Sequence, residues 1–300
     1  MLQLLLGGSG SGKTTLLYQR IRARAEKGEK SILLVPEQFT SSTEGRIYRE
    51  LGDALSGMVE SFSFTSLAEK ILSTEGGAAV QTLSDAGRAV LVRRALEELQ
   101  DNVHYYHRHR RSAAFCQMAA QTIDELKSAG LSGRQLAQLA GACGAESGKL
   151  SELALIFQGY ETLLARSGMD PSDRLELAGA RLEEALARHS LPEFLRDRAV
   201  FIDEFDTFNA PKKRLLGAML AALPSVTVAL CDDGAPLLPG DLSLFSGAKQ
   251  VAAQLRQLAR KNGAEVAVPQ LLRKDLRHRN APGLAAVAEL LETGSCTADA

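Results

Sequence analysis

The chain has 300 residues, of which 45% are apolar and 24% are charged, and its formal net charge is −1. This composition is typical of a folded protein with one or two domains, and near-neutrality means that any contact with nucleic acid must come from a local patch. The four cysteines show no paired C-x-x-C spacing, which argues against a zinc or iron–sulphur site and favours reduced, inert thiols. No signal peptide and no membrane-length apolar run is visible, so we expect a cytoplasmic protein without membrane contact.

The first predicted element is an apolar strand over residues 2–6, which ends in a glycine-rich run. The run is Gly7, Gly8, Ser9, Gly10, Ser11, Gly12, Lys13 and Thr14. Its spacing, placed between a strand and a helix predicted over 14–25, is that of a P-loop rather than of a merely flexible loop. Glycines let main-chain N–H groups surround phosphates, Lys13 reaches the outer phosphates and Thr14 binds magnesium. We therefore predict that the chain binds ATP and Mg²⁺.

Two further strand–helix units follow. A strand over 31–35 ends at Pro36 and precedes a helix over 40–55, and a strand over 58–64 precedes a short helix that Thr65 can cap. Strands that alternate with helices predict a parallel α/β sheet flanked by helices.

From residue 83 to about residue 195 the apolar periodicity is helical throughout. We predict four helices there, with apolar stripes within 86–99, 115–126, 150–164 and 175–186. Ser84 can cap the first, and Asp170 can cap the fourth because Pro171 follows at the first helical position. This region is interpreted as an inserted all-helical subdomain.

Strands return at 199–202 and 226–230, with a helix over 210–223 between them, so the α/β core resumes after the insertion. Further elements are expected as a helix near 249–261, a strand at 265–268 and a helix at 282–291. The predicted organisation is core 1–82, helical insertion 83–195, core 196–235 and a linking segment 236–300.

Two carboxylates, Asp203 and Glu204, follow the buried strand at 199–202. In isolation, acidic residues after a strand are most simply turn residues. A P-loop in the same chain favours a Walker B element, in which Asp203 holds magnesium through water and Glu204 orients the attacking water.

Cations and aromatic residues are mixed in the segment 104–111, whose sequence is HYYHRHRR. Arg108, Arg110 and Arg111 could follow a phosphate backbone while the tyrosines stack on bases. A solvated interhelical loop is the competing interpretation, and metal binding is disfavoured because the arginines repel a cation. The segment 131–135, LSGRQ, imitates the signature of transporter ATPases but lies too far before Asp203, so we interpret it as coincidence.

Several segments together resemble superfamily 1 helicases and, more narrowly, the AddB/RexB family, the B subunit of the bacterial ATP-dependent helicase/deoxyribonuclease. They are LVPEQFT at 34–40, SFSFTSLA at 61–68, LSDAGR at 83–88, IDELK at 123–127, DPSD at 170–173 and FIDEF at 201–205. The resemblance implies a RecA-like P-loop NTPase fold with an inserted helical subdomain. It also implies that Gln38 and Thr40, and Ser63 and Phe64, lie in motifs that contact single-stranded DNA.

The family resemblance further implies a heterodimer with an AddA-type helicase-nuclease subunit, which processes double-stranded DNA ends and single-stranded DNA in recombinational repair. It implies that this chain is the front part of a longer protein, without the carboxy-terminal nuclease domain and most of the second motor domain. Because that second domain supplies the arginine finger, we expect weak ATP binding and very little hydrolysis by the chain alone.

Two functions stay open. The first is an ATPase module that drives helicase and exonuclease action, with Glu204 as its catalytic residue. The second is a nucleotide-stabilised scaffold that binds or recognises DNA with little or no hydrolysis. Many family members look less acidic after the Walker B aspartate, whereas Glu204 keeps hydrolysis possible here. A small-molecule kinase would leave the long helical insertion unexplained.

Overall fold

The structure, a computed structural model, describes residues 1–77, 79–144, 147–274 and 276–293. Within these residues six strands form one sheet in the order β3-β2-β4-β5-β1-β6. The strands are β1 (Leu2–Gly7), β2 (Ser31–Leu34), β3 (Val59–Phe62), β4 (Ala199–Ile202), β5 (Ser225–Cys231) and β6 (Gln270–Leu272). Every neighbouring pair is parallel, which confirms the predicted α/β class with a parallel sheet flanked by helices.

The described residues contain twelve α-helices. They are α1 (Lys13–Ala25), α2 (Thr40–Leu51), α3 (Asp53–Ser56), α4 (Phe64–Glu75), α5 (Asp85–Glu98), α6 (Ala113–Ser128), α7 (Gly133–Ala140), α8 (Ser147–Ser167), α9 (Pro171–Ala187), α10 (Ala210–Ala222), α11 (Ser246–Lys261) and α12 (Pro282–Thr293). None of these helices is long and apolar enough to cross a membrane.

The chain forms two compact units. The sheet unit comprises Met1–Lys70, Leu182–Phe208 and Leu216–Ala300, and the helical unit comprises Ile71–Arg181 and Asn209–Leu215. The predicted division into functional domains at residues 83, 196 and 236 stays a prediction.

The sheet unit is built around strands that are buried along their whole length. All four residues of β2 and all four of β4 are buried, as expected for a parallel sheet covered on both faces. Leu5, Leu17, Leu33 and Phe201 belong to one apolar cluster of this unit. Because the strands are parallel, β1, β4 and β5 all end at the same edge, where ligands of such sheets bind.

The helical unit packs around α8. Phe157 and Tyr160 are fully buried there and share a cluster with Leu96 of α5 and Ile123 of α6. The prediction of four helices for this region was wrong by one, because α7 was missed. It begins in the LSGRQ segment, where Ser132 and Gln135 form a capping box, each side chain bonding the other's main-chain N–H.

Three boundaries also differ from prediction. The helix predicted over 40–55 is divided into α2 and α3 at Gly52, whose φ of 75° no regular helix accommodates. Ser63, not Thr65, caps α4, because its hydroxyl accepts from the N–H of Ser66 at 3.1 Å. The strand predicted at 265–268 forms only an isolated bridge between Leu2 and Val266, and β6 follows it.

The cysteine thiols differ in exposure. Cys116, Cys143 and Cys231 are free, as expected for reduced thiols, and of these Cys116 is buried and the other two are exposed. Cys296 lies outside the described residues.

Candidate nucleotide-binding site

The loop between β1 and α1 has the backbone that its glycines predict. Gly10 and Gly12 have φ of 77° and 90°, in the left-handed region that favours glycine. A Cβ on Gly7 would lie 2.4 Å from the Ser11 hydroxyl oxygen and 2.6 Å from the carbonyl oxygen of Leu272. Glycine is therefore required at all three positions for the chain to turn from the strand into the helix.

The amino terminus of α1 is open to a ligand. Gly12 is its N-cap, no side chain caps the first turn, and that turn holds no acidic residue. The hydroxyl of Ser11 is buried and has no hydrogen-bond partner among the described residues. The uncapped N–H groups of the first turn and the favourable helix dipole fit the phosphate groups of a nucleotide.

Lys13 lies folded over this loop. Its Nζ donates to the carbonyl oxygens of Gly7 at 2.8 Å and Gly8 at 2.7 Å, and lies 3.9 Å from the sulphur of Cys231. The ammonium group is thus held at the mouth of the loop by main-chain acceptors that a phosphate can replace.

A cavity of about 690 Å³ opens above the loop, within the range of roughly 300–1,000 Å³ typical of small-ligand sites. Of the predicted residues, it is lined by Ser9, Gly10, Gly12, Lys13, Thr14, Gln38, Asp203 and Glu204. Gly7, Gly8 and Ser11 shape the loop without lining this cavity. The structure therefore brings the P-loop and the acidic residues after β4 to one place.

Asp203 lies directly beside the P-loop. It is buried, it lines the same cavity as Thr14, and the N–H of Glu204 donates to its Oδ1 at 3.0 Å. Burial raises the pKa of Asp203, and the interactions with Thr14 and Glu204 offset part of that rise. A threonine hydroxyl and a carboxylate that line one cavity are suitable oxygen donors for magnesium.

Glu204 has a strained backbone. Its φ of 65° is left-handed, which costs a residue other than glycine about 1–2 kcal/mol. Burial and then the charge of Asp203 raise the pKa of Glu204, whereas Arg46 and Lys13 lower it. Beyond this turn, Phe205 packs edge-on against Phe64, with ring centroids 5.2 Å apart.

Replacing Asp203 with asparagine is expected to raise thermal stability while abolishing magnesium-dependent nucleotide binding. The folded-state pKa is raised, so the folded protein binds the proton more tightly than the unfolded chain does. The unfolding free energy therefore falls as pH rises from about 3.9, the ordinary Asp pKa, through the raised value. At neutral pH, asparagine removes the free-energy cost of burying the ionised carboxylate.

Thermal unfolding at pH 4 and pH 7.5 checks the effect of Asp203→Asn, with Glu44→Gln as the control because Glu44 is an exposed carboxylate on α2. The stability gain should be larger at the higher pH and absent in the control. A variant less stable than the unmodified protein at pH 7.5 would contradict the expected sign.

Arg46 was missed by sequence reasoning. It lies on α2 and lines both the P-loop cavity and an adjoining cavity of about 280 Å³, together with Asp203 and Glu204. Its guanidinium carbon lies 4.9 Å from the centroid of the Tyr18 ring. Because no motif marks this arginine, only the adjacency of β2 and β4 in the sheet could have identified it.

The segment after β6 also reaches the loop. The N–H of Leu276 donates to the carbonyl oxygen of Gly10 at 3.0 Å, and Arg277 Nη1 donates to Ser9 Oγ at 3.1 Å. Both residues line the P-loop cavity, and no sequence signal pointed to either.

The residues predicted to contact single-stranded DNA occupy different environments. Gln38 lies in the wall of the P-loop cavity, and the Thr40 hydroxyl donates to the carbonyl oxygen of Glu37 at 2.6 Å. Ser63 and Phe64 are buried, one as the cap of α4 and the other against Phe205. Both buried side chains thus have structural roles, and DNA contact stays a prediction for all four residues.

The basic and aromatic segment 104–111 belongs to the helical unit and is ordered by internal contacts. It contains a 3₁₀ turn over His107–His109, and Arg110 contacts the ring of His107. Arg108 and Arg111 are exposed. The three arginines therefore differ in environment. Arg110 contacts a neighbouring side chain, whereas Arg108 and Arg111 face solvent.

Comparison with known proteins gives a consistent result. The sequence model of the family described as "ADDB, N-terminal" matches residues 4–288. A protein of Desulforudis audaxviator, named as the B subunit of an ATP-dependent helicase/deoxyribonuclease, is 34% identical over 296 residues, covering 95% of this chain and 25% of the relative. Proteins with the same name from Moorella thermoacetica and Symbiobacterium thermophilum are 33% and 31% identical, covering 95% and 97% of this chain. The chain spans about a quarter of the length of these relatives.

Proposed function

The chain belongs to the ADDB, N-terminal family, and from this membership we propose that it is the ATP-binding, helicase-like module of a DNA-break-processing helicase/exonuclease subunit. The observation that carries the proposal is that Thr14 and the buried Asp203 line one cavity beside an uncapped, glycine-lined helix terminus. A carboxylate next to a P-loop threonine has a clear use in nucleotide binding and none in packing, because its burial costs free energy.

Each residue around the cavity would have its own role in ATP binding or hydrolysis. Main-chain N–H groups of the loop and Lys13 would hold the phosphates of ATP, and Thr14 and Asp203 would hold Mg²⁺. Bound Mg²⁺ would neutralise phosphate charge. Glu204 would accept a hydrogen bond from the attacking water, and Arg46, which lines the same cavity, would add a cation.

The wider role follows from the names of the relatives and is part of the proposal. We infer that the protein acts in the cytoplasm as a heterodimer with an AddA-type helicase-nuclease subunit. Its substrates would be double-stranded DNA ends and single-stranded DNA, processed for homologous recombination and repair. Gln38, Thr40, Arg108 and Arg111 are the proposed DNA contacts on the described surface.

A second candidate function is a scaffold that a bound nucleotide stabilises for DNA binding or recognition, with little hydrolysis. The observation that favours the scaffold is that Leu276 and Arg277 donate hydrogen bonds to Gly10 and Ser9 and so cover the loop. A loop covered by its own chain favours slow exchange of nucleotide over a rapid cycle.

The Glu204→Gln variant of the full-length protein separates the two functions. If Glu204 orients the attacking water, ATP turnover by this subunit should fall at least about a hundredfold, with nucleotide affinity retained. Turnover is measured by phosphate release with the partner subunit's ATPase inactivated. Asp206→Asn is the matched control, because Asp206 is an exposed carboxylate lining the same cavity. Equal turnover in all three proteins would favour the scaffold.

A further inference from the structure

The helical unit carries an apolar hollow that the nucleotide site does not use. Its volume is about 450 Å³, and Tyr105, Tyr106, Phe115, Met118 and Lys149 are among its lining residues. Tyr105 and Met118 are 58% and 57% exposed, so the hollow presents aromatic and apolar surface to solvent. Exposed aromatic and apolar surface gathered into one hollow indicates a binding site.

Aromatic rings form one wall of the hollow. Phe115 stacks on Tyr106 with ring centroids 5.5 Å apart and an interplanar angle of 28°. The ring of His109 stacks on Phe115 at 5.4 Å and 29°. Nearly parallel rings in contact create a flat surface that another planar ring can extend.

A buried carboxylate fixes the segment that carries the tyrosines. Glu152 of α8 is 6% exposed and accepts from the main-chain N–H groups of His104 at 2.8 Å, Tyr105 at 2.8 Å and Tyr106 at 3.3 Å. The Tyr105 ring lies over Gly148, where a Cβ would be 3.0 Å from it. The rings are therefore held in place before any ligand binds, which lowers the entropy lost on binding.

We call three cations the rim of the hollow: Lys149, which lines it, and Arg108 and Arg111, which lie within two residues of the lining residue His109 in the sequence. Residues 102–123 include three arginines and three histidines but no carboxylate. Arg108 and Arg111 are exposed, and Arg108 lines a separate cavity together with Asp101. An apolar aromatic floor with a cationic rim is complementary to a base attached to phosphodiester groups.

We propose that this hollow binds an unpaired base of single-stranded DNA, stacked on the Tyr105 and Phe115 surface, with flanking phosphates on Arg108 and Arg111. The identification of the ligand as DNA rests on the proposed function. An unpaired base is required because in a duplex both faces of each base are already stacked on neighbours. The cationic rim disfavours an apolar peptide as the occupant.

Fluorescence anisotropy with the full-length protein tests the proposal. The probes are a labelled oligothymidylate and an oligonucleotide of equal length with abasic sites. Tyr105→Ser should weaken binding of the oligothymidylate about tenfold and leave binding of the abasic strand nearly unchanged. Tyr105→Phe should bind like the unmodified protein, because the ring is retained.

The rim is tested by the double variant Arg108→Gln, Arg111→Gln. It should weaken binding of both probes equally, and the slope of log K against log salt should decrease by about 0.7 for each phosphate that the variant no longer neutralises. Arg134→Gln is the control, because Arg134 is an exposed arginine of the same unit, on α7. Circular dichroism confirms that each variant is folded.

The outcomes separate this proposal from the proposed function. An unmodified protein that binds the abasic strand as tightly as oligothymidylate, or a Tyr105→Ser variant with unchanged affinities, would overturn the inference while leaving ATP-dependent DNA processing intact. A Tyr105→Ser variant that releases the partner subunit and keeps DNA affinity would assign the hollow to protein contact and also overturn it. No DNA binding by the unmodified protein would contradict both proposals.

Discussion

Replacing Lys13 with alanine is expected to weaken nucleotide binding about a hundredfold, because hydrogen bonds to charged groups contribute about 1.5–3 kcal/mol. In the structure the ammonium group lies at the mouth of the loop, 2.8 and 2.7 Å from the carbonyl oxygens of Gly7 and Gly8. Its removal takes away the cation that faces the outer phosphates. The fold should persist, since the loop carbonyls it leaves can bind water.

Calorimetric titration with ATP and Mg²⁺ measures the effect, both on this chain and on the full-length protein. Lys27→Ala is the matched control, because Lys27 is an exposed lysine just beyond the opposite end of α1. On this chain alone we expect weak but measurable ATP binding and almost no hydrolysis. Unchanged affinity in Lys13→Ala, or rapid turnover by the chain alone, would refute this account of the site.

The second large effect is expected in the helical unit, where Asp170→Ala should lower the unfolding free energy by about 3–5 kcal/mol, the usual cost of breaking a buried ion pair. Asp170 is fully buried. Its carboxylate accepts from Lys127 Nζ at 2.6 Å and from the Tyr160 hydroxyl at 2.5 Å, and lies 3.4 Å from Arg88 Nε. Removing it leaves two cations and a hydroxyl without their shared acceptor.

An exposed ion pair of the same unit provides the contrast. Arg93 and Glu97 of α5 pair at 3.0 Å, with about half of each side chain exposed, so Glu97→Ala should change stability by less than about 1 kcal/mol. Because the chain has no tryptophan, urea unfolding is followed by far-ultraviolet circular dichroism. Equal losses in Asp170→Ala and Glu97→Ala would show that the buried network does not hold the helical unit together.

Local sequence signals were sufficient to predict features whose residues are neighbours along the chain. The P-loop needs a strand, a glycine-rich turn and a helix in succession, and all three are contiguous. Asp203 and Glu204 were recognised because they end a buried strand in a chain that already contained a P-loop. The parallel sheet followed from the alternation of strands and helices.

Contacts between distant segments account for what sequence reasoning missed. Arg46 lies near Asp203 and Glu204 only because β2 and β4 are neighbours in the sheet. No local periodicity of the sequence predicts that pairing. Glu152 supports the segment 104–106 from a helix more than forty residues further along. Asp170 was assigned as a helix cap from its neighbour Pro171, yet both of its carboxylate oxygens bind side chains of other helices. The short helix α7 was overlooked because its capping residues resembled an unrelated motif.

The strand order has a consequence for how the protein is made. β1 is synthesised well before its sheet neighbours β5 and β6, which follow it by more than 200 residues. Parallel pairing between segments so far apart along the chain is slow. The glycine-rich loop that follows β1 is therefore expected to reach its final shape only after β5 and β6 have been synthesised and have paired with β1.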